Sequence, residues 1–473
     1  MAIKRNEINM TEGPFLKKII VFVIPLILTG LLQCLYNAAD LAVVGRFDGE
    51  LALAAVGSTG SLNNLIVGLF MGLSVGAGVV VAHHMGALKY QRVNKVVHSA
   101  VLMASVLGVI VAIIGVIFAR QLLMWMDTPE NVLDAAVLYT RIVFCGIPAS
   151  MVYHYCASMV RSTGDTKHPL IFLSVSGLVN VILNLVLVIF FHMGVAGVAI
   201  GTIVSQYLSA IMILIFMHRS EGPMHLSFFR LRLHWSLVKK MLYIGIPSGL
   251  QGTLFSLSNV IIQTALNSFD TEMGMAGALV AGNTAAGNLE GFVYIAMNSV
   301  YQASMTFVGQ NMGAQKYRNI KKITWLCVLC VSAIGLISSG VLLLFRDFFV
   351  GLYVSGGNAQ VVETAFLRLW FIVPLYFLCG VMEVLSGTLR GMGKSVTAMG
   401  VSLMGACVLR IAWIHTFFVW FHSLECVYVS YPVSWTLVIL LDVGFLIVYY
   451  RRLVRPRSTS LQEPTHSTQA LNS

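Results

Sequence analysis

Between residues 19 and 450, long apolar stretches alternate with short polar breaks, and most charged residues fall in the breaks. A helix needs about 20 apolar residues to cross the hydrocarbon core of a bilayer. Because each stretch reaches about that length, the pattern predicts membrane-spanning helices. Twelve spans result, with expected limits 19–45, 51–82, 96–118, 134–157, 169–191, 195–217, 238–266, 277–309, 323–345, 361–386, 395–421 and 428–450.

The charges in the breaks predict an orientation. Of the 30 Lys and Arg residues, 24 fall near breaks on one side of the predicted membrane. Basic residues collect in cytoplasmic loops, so this side and both termini are expected in the cytoplasm. The opposite breaks carry acidic residues instead, namely Asp48, Glu50, Asp127, Glu130, Asp270 and Glu272.

The chain repeats itself at a nearly constant offset. Met85–Tyr90 (MGALKY) recurs as Met312–Tyr317 (MGAQKY), and Arg161-Ser-Thr-Gly164 has a counterpart in Arg390-Gly-Met-Gly393. Each repeat holds six spans, so two lobes related by a pseudo-twofold axis along the membrane normal are expected. The predicted fold class is an all-α polytopic membrane protein. Its expected parts are a cytoplasmic segment 1–18, an N-lobe 19–218, a linker 219–237, a C-lobe 238–450 and a disordered tail 451–473.

Composition supports this class and removes others. The chain is 58% apolar and 10% charged, whereas soluble proteins are about 25% charged. The net charge of +11 is explained by the cytoplasmic breaks, so no nucleic-acid partner is expected. Cys327 and Cys330 form a CxxC inside an apolar stretch with no second Cys or His pair, which indicates a helix interior and no metal site there. No phosphate-binding loop or catalytic constellation is present, so the chain is not expected to be an enzyme or to need a cofactor.

Polar residues inside the first six spans fall on single helix faces. Residues spaced by three, four or seven positions share a face, and an intramembrane carboxylate is a functional candidate because it is expensive to bury. The stripes predict one buried polar pocket; the alternative is that they merely hold helices together. They consist of Gln33, Asn37 and Asp40, of Ser176, Asn180 and Asn184, and of Thr202 and Gln206.

The second half has polar stripes of its own. Asn259 and Gln263 share a face of the seventh span, and Glu290, Tyr294 and Asn298 share one on the eighth. Glu290 is expected to contact a cationic substrate because its face carries other polar groups. Further along, pairing of Glu383 with Arg410 is left open, and Asp442 is expected to snorkel or pack.

Several of these residues together resemble the bacterial MATE (multidrug and toxic compound extrusion) family. The similarity covers about residues 10–450 and rests on Thr11–Lys18, Ile24-Pro25, Leu35-Tyr36-Asn37, Asp40, Val44-Gly45-Arg46, Gly194–Gly197 through Gln206, and the two MGAxKY loops.

The resemblance implies export of cationic or amphipathic small molecules in exchange for H⁺ or Na⁺. It implies ion coupling at Asp40 with Asn180, Asn184 and Thr202, which are also the expected ligands of a Na⁺ ion. Many relatives have Asp at the position of Asn184, so this chain has one carboxylate fewer there. A multi-pass protein of the bacterial plasma (inner) membrane is expected, as a monomer.

Two other functions stay open at this point. A flippase for lipid-linked saccharide precursors needs a strongly cationic cavity, and Arg410 is the basic residue placed clearly inside the membrane. An integral-membrane transferase needs clustered acids or histidines, whereas the acids here are dispersed.

A conformational role is predicted for Pro25. Burial among neutral amides disfavours the ionised form of Asp40, so an external proton is expected to neutralise it and let its helix repack. Pro25 interrupts the hydrogen-bond ladder of the same helix about four turns away and is the expected hinge.

Overall fold

The computed structural model describes residues 8–126, 128–275, 277–353 and 358–454, and this part of the chain is almost entirely helical. Asp127 and the predicted tail beyond Val454 therefore lie outside the described residues. Twelve long helices occur in the described ranges: α1 Phe15–Phe47, α2 Glu50–Gly86, α3 Tyr90–Trp125, α4 Glu130–Ser162, α5 Lys167–Phe190, α6 Gly194–Arg219, α7 Trp235–Glu272, α8 Ala278–Gly313, α9 Tyr317–Leu344, α10 Ala359–Gly391, α11 Ser395–Phe421 and α12 Leu424–Val454.

Each predicted span coincides with one of these helices. Within the described ranges, ten helices are long and apolar enough to cross a membrane. The remaining two, α7 and α8, are 38 and 36 residues long and carry the polar stripes of the second half. The predicted all-α architecture with twelve spans is confirmed.

Successive helices run in opposite directions, so the connections lie at two faces of the molecule. We call the face with the connections 87–89, 163–166, 220–234, 314–316 and 392–394 the basic face, because most Lys and Arg residues lie there. We call the opposite face, with the connections 48–49, 191–193 and 422–423, the acidic face.

Helices of the first and second half of the chain pack together near the basic face. One apolar core joins helices α2 to α6 with the start of α7, and another joins the first half of α1 with helices of the second half. Phe22 of α1 meets Phe307 of α8 edge to face, with ring centroids 5.6 Å apart. Among described residues, the side-chain hydrogen bonds between the two halves all lie in the basic-face half. The close glycine contacts between the halves also lie there, so we infer that a cleft between the halves opens toward the acidic face.

The two copies of the MGAxKY loop have the same backbone and meet each other at the basic face. Leu88 and Gln315 occupy the same position in the two copies and have φ values of 56° and 58°. A Cβ atom on Gly86 would lie 1.8 Å from the Gln310 carbonyl oxygen, and one on Gly313 would lie 1.9 Å from that of His83. These reciprocal contacts require glycine, since any side chain would separate α2 from α8.

Candidate functional site

Five helices of the first half (α1, α2, α4, α5 and α6) enclose a cavity of about 330 Å³ that we call the N-lobe cavity. It brings together residues from all three polar stripes predicted in the sequence. These are Gln33, Asn37, Asp40, Ser176, Asn180, Thr202 and Gln206.

Asn184 lies behind the cavity wall and is fully buried. Its Nδ2 donates a hydrogen bond to Oδ1 of Asp40 at 2.5 Å. Asn180 Nδ2 donates to Oγ1 of Thr202 at 3.5 Å, and the Thr202 hydroxyl donates to the Val198 carbonyl at 3.0 Å. The four residues predicted for ion coupling therefore form one cluster that connects α1, α5 and α6.

The cluster has unused acceptor capacity. Among described residues, no Lys or Arg forms an ion pair with Asp40, and Oδ1 of Asn180 and of Asn184 accept no hydrogen bond. Oδ1 of Asn184 lies against Gly201, where a Cβ atom would approach it to 2.0 Å. A carboxylate beside unpaired amide oxygens suits a proton or a hard cation such as Na⁺, because hard cations prefer oxygen ligands.

Sequence reasoning missed two α4 residues that line the same cavity. They are Tyr139 and His154, which are both buried. A signal was available for His154, since an ionisable side chain within a membrane span is a functional candidate in its own right. No comparable signal exists for Tyr139, because tyrosines are common in membrane spans.

Glu290 does not have the surroundings predicted for it. Arg368 of α10 donates from Nε to Oε1 at 2.8 Å and from Nη2 to Oε2 at 2.7 Å, and it also donates from Nη1 to Asn283 Oδ1 at 2.6 Å. The carboxylate is thus neutralised by a bidentate ion pair. The expected contact of Glu290 with a cationic substrate is not supported by this geometry. Sequence reasoning overlooked Arg368, although it lies within the tenth predicted span.

The other stripe residues of the second half lie in three different environments. Tyr294 and Asn298 line a second cavity, of about 380 Å³, between the two halves of the chain; we call it the central cavity. Gln263 instead accepts a hydrogen bond from Asn283 at 3.1 Å and so extends the Glu290–Arg368 network. Asn259 is exposed on α7 outside the lining of both cavities.

The structure bears on two further statements about buried charges. Glu383 and Arg410, both in described helices, form no ion pair, because Arg410 donates to Ser434 Oγ at 2.9 Å and stacks on Tyr431 with its guanidinium 4.3 Å from the ring centroid. Asp442, which was expected to snorkel or to pack, is packed: it is fully buried and accepts a hydrogen bond from Ser386 at 2.7 Å.

Two arginines placed in cytoplasmic breaks by the sequence analysis lie in the helices instead. Arg161 of α4 and Arg390 of α10 both line the central cavity. Arg368 and Arg390 are buried as Arg410 is, so Arg410 is not alone as a basic residue enclosed among the helices. At the other face, Asp270 is buried at the end of α7 and accepts hydrogen bonds from the backbone N–H groups of Gly277 and Leu279 at 2.7 and 2.9 Å, which stabilises the start of α8.

Pro25 lies within α1, which continues through it from Phe15 to Phe47. The Thr29 hydroxyl donates to the Pro25 carbonyl oxygen at 2.7 Å. This bond does not replace the one that proline removes, since the missing Pro25 N–H leaves the carbonyl of Val21, not that of Pro25, without its helical donor. The hinge role of Pro25 stays a prediction.

Known proteins share both this sequence pattern and this architecture. The model of the MatE family matches residues 25–186 and 247–414 of the chain. The probable multidrug resistance protein YoeA of Bacillus subtilis is 25% identical over 435 residues, which cover 90% of this chain and 92% of that protein. The multidrug export protein MepA of Staphylococcus aureus is 21% identical over 405 residues, covering 85% and 88%.

Solved structures have the same fold. A multidrug resistance MATE family transporter of the MOP superfamily, in an outward-facing conformation, aligns with a TM-score of 0.87 at 18% identity and covers 96% of this chain and 99% of that one. A MOP superfamily transporter from Pyrococcus furiosus aligns with a TM-score of 0.87 at 19% identity, with the same coverage.

These similarities assign a multi-pass membrane transporter rather than an enzyme. The chain belongs to the MatE family of multidrug efflux transporters. The resemblance inferred from the sequence is thereby confirmed.

Proposed function

We propose that the chain is a secondary antiporter that exports cationic or amphipathic small molecules in exchange for H⁺ or Na⁺. It acts in the bacterial plasma membrane with the basic face in the cytoplasm. The observation that carries the proposal is the cluster around Asp40, a carboxylate without a basic partner in a cavity that opens into the cleft.

The packing supports alternating access. With the basic face in the cytoplasm, the cleft is open to the outside, and the glycine contacts between α2 and α8 close the cytoplasmic side. Transport needs a second arrangement in which those contacts part and the outer halves of the helices meet. A substrate binds from the cytoplasm in that second arrangement. It is released to the outside in the arrangement of the present structure.

Ion coupling follows from the charge of Asp40. A proton or Na⁺ from outside neutralises the carboxylate and changes its hydrogen bond with Asn184, which alters the packing of α1 on α5. Release of the ion to the cytoplasm restores the charge. Pro25 gives α1 a position at which to bend during this cycle.

The test is an Asp40→Asn variant, which imitates the neutral state permanently. We expect near-complete loss of drug efflux from cells at normal membrane abundance. Asp134→Asn is the matched control, because Asp134 is an exposed carboxylate on α4 that pairs with Arg120 at the surface. Efflux by Asp40→Asn at the wild-type rate would rule Asp40 out as the coupling residue.

The coupling ion is identified with purified protein in proteoliposomes. A Na⁺ gradient and a pH gradient are imposed separately, and uptake of a cationic dye is recorded. We expect one gradient to drive uptake and Asp40→Asn to abolish that response. Equal uptake with neither gradient would contradict antiport.

A lipid-linked saccharide flippase is the second candidate function. It is favoured by one observation, the presence of Arg161 and Arg390 in the central cavity. An assay of headgroup translocation in the same proteoliposomes separates it from drug export.

A further inference from the structure

The central cavity lies between the two halves of the chain, next to the glycine contacts that close the basic face. Met71 and His154 line both this cavity and the N-lobe cavity, so the two adjoin. Arg161 and Arg390 occupy equivalent positions in the repeated R-x-x-G motif, whose glycines have φ values of 103° at Gly164 and 77° at Gly393. The pseudo-symmetry thus brings two guanidinium groups to one cavity.

The partners of the two arginines are neutral. Arg161 Nη1 donates to Gln302 Oε1 at 2.7 Å, and Arg390 donates to the Tyr301 hydroxyl and to Gln251 Oε1. The Nε atoms of both arginines are buried and have no partner among the described residues.

The two arginines differ in the charges around them. Glu383 lines the same cavity, and both Glu383 and Asp442 lie close enough to Arg390 to interact with its charge. Arg161 forms no ion pair with any carboxylate of the described chain. It therefore presents to the cavity a positive charge with no directly paired carboxylate.

A structural role explains the hydrogen bond of Arg161 but not its charge. A neutral amide at this position could also bond to Gln302 and link the halves. Arg161 is half-buried, and burying its Nε without a partner is costly. Such a guanidinium gains from an anion that arrives with the ligand.

We propose that Arg161 is an anion subsite of the transport cavity. It binds a carboxylate, phosphate or sulfonate group of an amphipathic substrate whose cationic part faces the N-lobe cavity and Asp40. The inference rests on the proposed export function. It specifies that the amphipathic substrates of that function include zwitterionic molecules.

The test compares two dyes that differ in a single charge. One is an aminoxanthylium dye with a free benzoate, and the other is the methyl ester of the same dye, which is a plain cation. Transport of both is measured in proteoliposomes containing the full chain. We expect Arg161→Gln to lower the ratio of free-acid to ester transport about tenfold or more, because a charge-assisted hydrogen bond is lost.

Two further variants separate binding from packing. Gln302→Met removes the inter-half hydrogen bond but keeps the charge, and it should affect both dyes alike. Arg120→Gln removes an exposed arginine of the neighbouring α3 and should behave as wild type. An unchanged dye ratio in Arg161→Gln would overturn the anion subsite, whereas failure of the wild type to transport even the ester would overturn the export function itself.

The source of the anion is decided in the same vesicles. Translocation of a fluorescent short-chain phosphatidylglycerol is followed beside that of the free-acid dye. Loss of dye transport alone in Arg161→Gln identifies a soluble zwitterion as the substrate, whereas loss of lipid translocation identifies an anionic headgroup. If Arg161→Gln keeps both dye transport and lipid translocation, the anion subsite is excluded.

Discussion

The Glu290 carboxylate, which is buried in the second half of the chain, is satisfied by a partner on another helix. Arg368 holds both oxygens of Glu290 and also bonds to Asn283, and all three side chains are buried. A buried ion pair adds little stability by itself, but removing one partner leaves an uncompensated charge. The residues are thus better explained by the packing of α10 on α8 than by contact with substrate.

We therefore predict that Arg368→Gln lowers the free energy of unfolding by about 3–5 kcal/mol, because it strands the Glu290 carboxylate. The double variant Arg368→Gln, Glu290→Gln should recover much of that loss. Thermal unfolding of the purified variants in detergent measures both effects. If Glu290→Gln kept wild-type stability and selectively lost export of cations relative to neutral compounds, a substrate role for Glu290 would be restored.

The residues of the site were predictable to different degrees. The cluster around Asp40 was predictable because residues at helical spacing share a face, and three polar faces in one lobe point to a common pocket. The partner of Glu290 was not predictable, because Arg368 lies on another helix 78 residues away along the chain. Arg161 and Arg390 were misplaced because α4 and α10 continue beyond the apolar stretches that predict them.

At the scale of helices, the closure at the basic face depends on glycine. Gly86 and Gly313 each let a helix backbone approach the other repeat, and a Cβ atom on Gly72 would lie 2.3 Å from Cα of Gly249. Small residues allow such close approach between membrane helices. Since these contacts join α2 to α7 and α8, they hold the cleft in its present form.

We predict that Gly313→Val prevents this closure, because the added side chain would overlap the His83 carbonyl oxygen. The variant should favour the arrangement open to the basic face and lose nearly all efflux at normal abundance. Labelling of a cysteine placed at Asn37 by an impermeant maleimide measures access to the cleft, and it should fall severalfold.

Gly340→Val is the matched control, because a Cβ atom at Gly340 of α9 meets no atom within 4 Å. It should keep both wild-type efflux and wild-type labelling at Asn37. Unchanged labelling in Gly313→Val would show that the glycine contacts do not control the state of the cleft.

The helices themselves were the most predictable feature. A span of about 20 apolar residues has few alternatives in a membrane, because every backbone group must be hydrogen-bonded within the segment. The ends of the helices were less predictable. Helix α3 runs from Tyr90 to Trp125, whereas its apolar stretch covers only 96–118. Helical hydrogen bonding continues into the polar residues at both ends, where hydropathy no longer gives a signal.

At the scale of the whole molecule, the segment before α1 ties the halves together at the basic face. The Met10 carbonyl accepts a hydrogen bond from Asn311 at 2.9 Å, and Glu12 pairs with Lys316 at 2.6 Å. The Lys316 ammonium lowers the pKa of the exposed Glu12 carboxyl. A Cβ atom on Gly164 would lie 2.6 Å from the Ile8 nitrogen, so the segment also touches the connection between α4 and α5. These contacts must rearrange when the basic face opens.

The two faces of the molecule differ in charge, and this difference predicts their orientation. Because basic residues collect on one face, that face should lie in the cytoplasm. A cysteine placed at Asp48 on the acidic face should react with an impermeant maleimide in intact cells, whereas one at Lys89 should react only after the membrane is opened. Both positions are at connections between helices, so labelling reports the side of the membrane and not packing. The unmodified chain, with its eight native cysteines, supplies the background. The reverse labelling pattern would place the open cleft toward the cytoplasm, and the direction of transport proposed for this conformation would be wrong.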